Sequence, residues 1–205
     1  MEKMIEKPIA TTREKILKVA AKLFSESGYK QVTTRDIAGV VGIKSASIYY
    51  HFSSKGEILR SLYKYYTEER GKATPDVNGL LKLAETAPPH EVLMRTNIKF
   101  DEENREYLDQ ILVTASREIG VDAESESFIK ENIFDSVSNL IKPLLARMVE
   151  LGKIKPLNVD DFINVLAYYH FGAAALSKSS FGSINEKNIG DLNYIFSLII
   201  PIEKK

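Results

Sequence analysis

Between Thr33 and Lys55 the chain reads TTRDIAGVVGIKSASIYYHFSSK, two short helical patterns separated by a single glycine. Thr33 followed by Asp36 is a capping-box start, Ile37, Ala38 and Val41 share one helical face, and Gly42 stands where a helix stops. A second pattern begins almost at once. It turns Ile48 and Phe52 inward at i, i+4 and leaves Ser45, Ser47, Tyr50 and His51 for the opposite side. The spacing predicts a helix-turn-helix, and the polar side of its second helix is the surface available to a nucleic-acid groove.

Charge supports that assignment more than composition does. The 205 residues balance 28 basic against 28 acidic side chains, yet residues 1–65 hold 12 Lys and Arg against 6 Asp and Glu, a net of +6, which leaves −6 for the rest. A positive head on an acidic body suits contact with a polyanion at one end only. Nothing at the N-terminus resembles an export signal, and the longest apolar run, 195–202, is far below the roughly 20 residues that cross a bilayer. The absence of cysteine removes disulfides and thiolate chemistry and fits a cytoplasmic address.

Taken in order, residues 1–10 read as a charged arm. Order is expected from about Thr11, which with Glu14 forms a capping box ahead of the stripe Ile16, Val19, Ala20, Leu23 and Phe24, stopped by Gly28. Ser54 with Glu57 is a third such box and opens a helix carrying Ile58, Leu59, Leu62, Tyr63 and Tyr66. Further helices are expected over 77–86, 91–100, 104–119, 125–151, 159–180 and 186–200. Pro143 should kink or divide the long one. No segment alternates as a strand does, so the chain is all-α, with a head over 1–66 and a helical domain over 67–205.

The series Ile16 to Phe24, Gly28-Tyr29, Thr33-Thr34, Ile37-Ala38, Gly42-Ile43, Ile48-Tyr49-Tyr50-His51-Phe52 and Ser54-Lys55 resembles the N-terminal signature of the TetR (tetracycline-repressor-like) transcriptional regulators. The resemblance covers about residues 11–63. It implies a homodimer whose paired recognition helices enter major grooves of a palindromic double-stranded DNA operator, and whose C-terminal domain takes a small-molecule inducer that releases it. Carried over by position, it makes Thr33 and Thr34 backbone anchors, sets Ser45, Ser47, Tyr50 and His51 in the groove, and gives Tyr49 and Lys55 phosphate contacts. Two positions depart from the pattern. Lys44 stands where a capping serine is common, so Ser45 is expected to cap with Lys44 reaching a phosphate, and Gly56 replaces a common acidic residue.

Beyond the head the sequence gives shape without a ligand. Tyr66, Phe100, Tyr107, Phe128, Phe134, Tyr168, His170 and Phe171 are the candidates for lining an effector cavity, although an aromatic stripe at helical spacing is core in most proteins. The helices over 159–180 and 186–200 are the expected dimer surface, because their apolar faces exceed what one short bundle buries and Gly172 to Ala175 allow close approach. No catalytic residue, metal site or cofactor is expected; His51 has no Ser-His-Asp or metal-ligand spacing around it. The rival reading is a helical small-molecule-binding protein or enzyme without specific DNA binding.

Overall fold

The computed structural model describes residues 11–175 other than 97 and 99, and the side chains of 102, 103, 170 and 173–175 are likewise not described. Ten α-helices follow one another over this span. They are α1 (Thr12–Ser27), α2 (Thr34–Val41), α3 (Ser45–His51), α4 (Lys55–Ala73), α5 (Val77–Thr86), α6 (Pro89–Met94), α7 (Glu102–Arg117), α8 (Ala123–Ile129), α9 (Ser136–Glu150) and α10 (Val159–Ala175). A π-helical segment, Lys130–Asp135, joins α8 to α9. The chain is all-helical among the described residues, and the expected helix over 186–200 lies outside them.

The local signals work as their chemistry dictates, with one exchange of partners. Thr11 and Thr33 each accept from the backbone of the residue three along, and Glu14 and Asp36 each accept from the cap's own N–H. At α4 only half the box closes. Ser54 Oγ accepts from Glu57 N, while the Glu57 carboxylate reaches past it to accept from Ser53 N and Ser53 Oγ, both at 2.6 Å. Pro88 and Pro89 start α6, where a proline in the first turn loses no helical hydrogen bond. That helix ends at Met94 rather than at residue 100.

The interruption expected at Pro143 lies elsewhere. α9 runs unbroken through Pro143, whose missing donor falls opposite the carbonyl of the exposed Asn139. The irregularity is instead the π-helical segment, which carries an extra residue per turn and so rotates the buried face. Before it, Phe128 and Ile129 belong to an apolar cluster with α1–α4 and α7; after it, Val137, Leu140, Ile141, Leu144 and Leu145 belong to a second cluster with α5, α6 and α10. Phe134 touches both.

Three cations distant in the chain satisfy carbonyls at or just beyond helix ends in the same way. Arg117 of α7 donates to Ser25 O at 2.8 Å and Glu26 O at 3.2 Å, at the end of α1. Lys153 donates to Ala84 O, Glu85 O and Ala87 O within 3.0 Å, at the end of α5. Lys55 does the same for the segment after α1. Terminal carbonyls carry the negative end of the helix dipole and lack backbone partners, so a cation there satisfies both needs. Thus α1 is held to α7 by its polar end as well as by Ile16, Ala20 and Phe24, which are fully buried.

Candidate nucleic-acid interface

The turn between α2 and α3 rests on Gly42, whose φ of 80° and ψ of 33° are left-handed. There the N–H groups of Gly42 and Ile43 both donate to Ala38 O at 3.0 Å, which ends α2 and reverses the chain. α3 is then fixed by its inner side, where Ile48 is 0% and Phe52 1% exposed. Ser45 does not cap it. The N-cap is Lys44, which makes no side-chain cap bond, and Ser45 is the first helical residue. The first turn is tied instead by Ser47 N donating to Lys44 O at 2.8 Å.

Of the residues expected in the groove, Tyr50 stands out at 88% exposure, whereas Ser45, Ser47 and His51 are half-buried. His51 meets Tyr50 edge-on, ring centroids 5.1 Å apart. Ala46 is exposed although its residue type gave no reason to select it. At 100° per residue Ala46 and Tyr50 lie about opposite Ile48, one turn apart, so angle would have found what polarity did not.

The backbone-facing candidates fall into two sets. Tyr49, 57% exposed, brings its hydroxyl to 3.4 Å from Thr34 Oγ1, so the start of α2 and the middle of α3 share one surface. Thr33 spends its hydroxyl on Asp36, accepting from Asp36 N and donating to Asp36 Oδ2 at 2.7 Å; that donated bond, with the one from Thr33 N to the same oxygen, holds the Asp36 carboxyl below its usual range. The exposed Arg35 lies in the same first turn and adds a charge that the sequence reading passed over. Lys44 is exposed in the turn between α2 and α3. Thr33→Ala should cost about 1 kcal/mol of stability, measured by urea denaturation; no loss would mean the box contributes nothing.

Lys55 is placed differently from the phosphate contact expected of it. Its ammonium donates to Tyr29 O at 2.9 Å and Val32 O at 3.0 Å, lies 3.5 Å from Lys30 O, and sits 4.4 Å from the centre of the Tyr29 ring. Burial pulls its pKa down and Glu118 pushes it back. The charge is turned inward because the loop after α1 presents three carbonyls that no helix satisfies.

The effector candidates separate into three groups. Tyr66 and Phe128 are buried, 5.2 Å apart, with Phe100 at 6.0 Å from Tyr66. Burial raises the Tyr66 hydroxyl to about 12. Tyr107 packs on Tyr65 at 5.1 Å, and Phe134 meets Tyr168 at 5.4 Å and Phe171 at 6.4 Å, with Tyr168 64% exposed. His170 lies within α10, and its side chain is outside the described residues. An open cleft of about 590 Å³ is lined by Ala73, Pro75, Asp76, Gly79, Leu80, Leu83, Met94 and Arg95, none of them among the effector candidates.

One polar link was not foreseen. The Tyr63 hydroxyl is 2.7 Å from Ser125 Oγ, and Ser125 gives its only proton to Asp122 Oδ2 at 2.6 Å, so Tyr63 is the donor. Burial raises the Tyr63 pKa, which keeps that proton in place.

Comparison with known proteins agrees with this geometry. Residues 16–62 match the family model described as bacterial regulatory proteins, tetR family. The chain is 27% identical over 202 residues to IcaR, the HTH-type negative transcriptional regulator of the biofilm operon icaADBC in Staphylococcus aureus, covering 94% of this chain and 100% of that protein. Its fold is similar to that of PfmR, a TetR family transcriptional regulator from Thermus thermophilus, with a TM-score of 0.63 and 24% identity over 96% of this chain and 100% of that one. It is also similar to a protein of Saccharomonospora viridis, described as a transcriptional regulator and solved in complex with choline, with a TM-score of 0.61 and 20% identity over 93% and 98%. No described helix is long and apolar enough to cross a membrane.

Proposed function

This chain carries the DNA-binding head of the TetR family of bacterial regulatory proteins, and from that premise we propose that it is a ligand-responsive transcriptional repressor. It acts as a homodimer on a palindromic operator, and a small molecule bound in the helical domain over 67–205 releases it. The observation that carries this reading is α4. This one helix starts beside the recognition helix at Lys55 and ends in the wall of the cleft at Ala73, 18 residues on, a span of about 27 Å. A ligand that changes the cleft wall therefore acts on the same rigid rod that seats the head.

The DNA side is supported by a recognition helix locked on its inner face and open on its outer one, in the part of the chain that carries +6. Half-sites one helical turn apart, or a multiple, follow from two-fold symmetry. The dimer surface is supported by Val165 and Tyr168, exposed at 53% and 64% on α10. The second expected dimer helix, over 186–200, lies outside the described residues.

Selection of duplexes from a random library by the purified full-length protein tests the reading. The expected result is an enriched palindrome bound roughly 10³-fold or more tighter than bulk DNA, with affinity falling steeply as salt rises. A ratio near one rejects sequence-specific regulation in favour of a DNA binder without sequence choice, and the absence of any DNA binding leaves a helical small-molecule-binding protein or enzyme as the alternative.

A further inference from the structure

The outer face of α3 is unusual in what it does not carry. Hydrogen-bonded selection of guanine relies on Arg or Lys, of adenine on Asn or Gln, and of cytosine on Asp or Glu. None of these six residue types occurs in Ser45–His51. The two exposed residues most nearly opposite Ile48 are a methyl group, Ala46, and an aromatic ring, Tyr50, of which the latter is the most exposed large hydrophobic side chain among the described residues. The polar groups are set to the sides or ends. Tyr49 directs its hydroxyl toward Thr34 of α2, Ser47 is half-buried on the other flank, and His51 is half-buried at the C-terminal end against Tyr50. Lys44 precedes the helix as its N-cap.

A methyl group and the face of an aromatic ring at the centre of a major-groove surface gain free energy against an apolar group in the groove, while the Tyr50 hydroxyl at the ring's tip remains a hydrogen-bonding group. The floor of that groove offers one, the C5 methyl of thymine. Residues four apart on a helix place their Cβ atoms roughly 6 Å apart, so the pair spans two base steps of about 3.4 Å. We propose that Ala46 and Tyr50 read thymine methyl groups, which makes each operator half-site A·T-rich at two or three successive base pairs under the centre of α3. This inference rests on the DNA-binding reading above and gives it a sequence class. Affinity then comes from phosphates near Thr34, Arg35, Lys44 and Tyr49, and sequence choice from methyl contact.

Replacing thymine by uracil in the selected duplex removes the methyl and leaves every hydrogen-bonding group, so it isolates the proposed contact. With the full-length protein, each sensitive thymine should lose about 4-fold in affinity on conversion to uracil, and two together about 15-fold. Tyr50→Ala, at a position too exposed to carry the fold, should abolish the uracil effect at its own base pair and preserve it at the pair under Ala46. Equal affinity for the thymine and uracil forms at every half-site position, in a duplex that is still specifically bound, overturns methyl reading and leaves the regulator reading intact. Failure to select any sequence overturns both. A selected half-site with G·C pairs under Ala46 and Tyr50 also overturns the proposal.

Discussion

Phe128→Ala lowers the unfolding free energy by about 3–5 kcal/mol, the largest loss expected from one side chain outside the head. The ring is 5% exposed, stacks on Tyr63 with centroids 4.2 Å apart and planes 14° from parallel, and meets Tyr66 edge-on. Tyr63 and Tyr66 both belong to α4, and Phe128 is the last aromatic of α8 before the π-helical segment turns the chain toward the second cluster. Truncation leaves a cavity between two helices that share one apolar cluster with α1 and α7, so collapse around it is limited. Urea denaturation of the full-length protein measures the loss. Amide exchange should accelerate in Tyr63 to Arg70 more than in α2 and α3, which keep Ile37 and Ile48 fully buried. Tyr63→Phe is the control: it keeps the stack, removes only the bond to Ser125, and should cost about 1 kcal/mol. A loss below about 1 kcal/mol for Phe128→Ala would mean that α4 and α8 are held together by something other than this ring.

That joint shows which parts of the molecule were legible in the sequence. Helix ends were readable wherever the signal is local: Thr11, Thr33 and Ser54 all cap, and Gly28 and Gly42 stop α1 and α2 with φ of 87° and 80°. Apolar stripes were readable for the same reason, since Ile16, Ala20 and Phe24 report on one another through a helix they share. What escaped depends on partners far away in the chain. Arg117 finds the end of α1 across 92 residues and Lys153 the end of α5 across 69, and no periodicity encodes such a meeting. The π-helical segment escaped because one inserted residue changes the facing of a helix without changing its composition. In the interface the miss has another origin. Ser45, Ser47, Tyr50 and His51 are small or polar groups on the side away from Ile48 and Phe52, whereas exposure follows the angle from those two, which keeps Tyr50 and adds Ala46.

Lys55→Met should cost about 2–3 kcal/mol of stability and leave the salt dependence of operator binding unchanged. The substitution keeps the length of the stem and removes the ammonium, so the carbonyls of Tyr29 and Val32 lose their donor and the Tyr29 ring its cation. A lysine bound to phosphate behaves otherwise. Its removal barely alters folding, and the slope of log affinity against log salt becomes shallower by about 0.9 for each phosphate released. The two measurements separate because the ammonium cannot serve both partners at once: its three donors point at the segment after α1, which seats α4 against α1, and turning one outward would strand a carbonyl. A shallower slope with unchanged stability would return Lys55 to the phosphates and leave that segment to be held by its apolar packing, Tyr29 on Phe24 at 5.1 Å and the buried Val32. An unchanged slope with lowered stability places the lysine's effect on DNA entirely in the position of the head, since the residue that opens α4 then fixes where the helix begins and therefore where α3 stands.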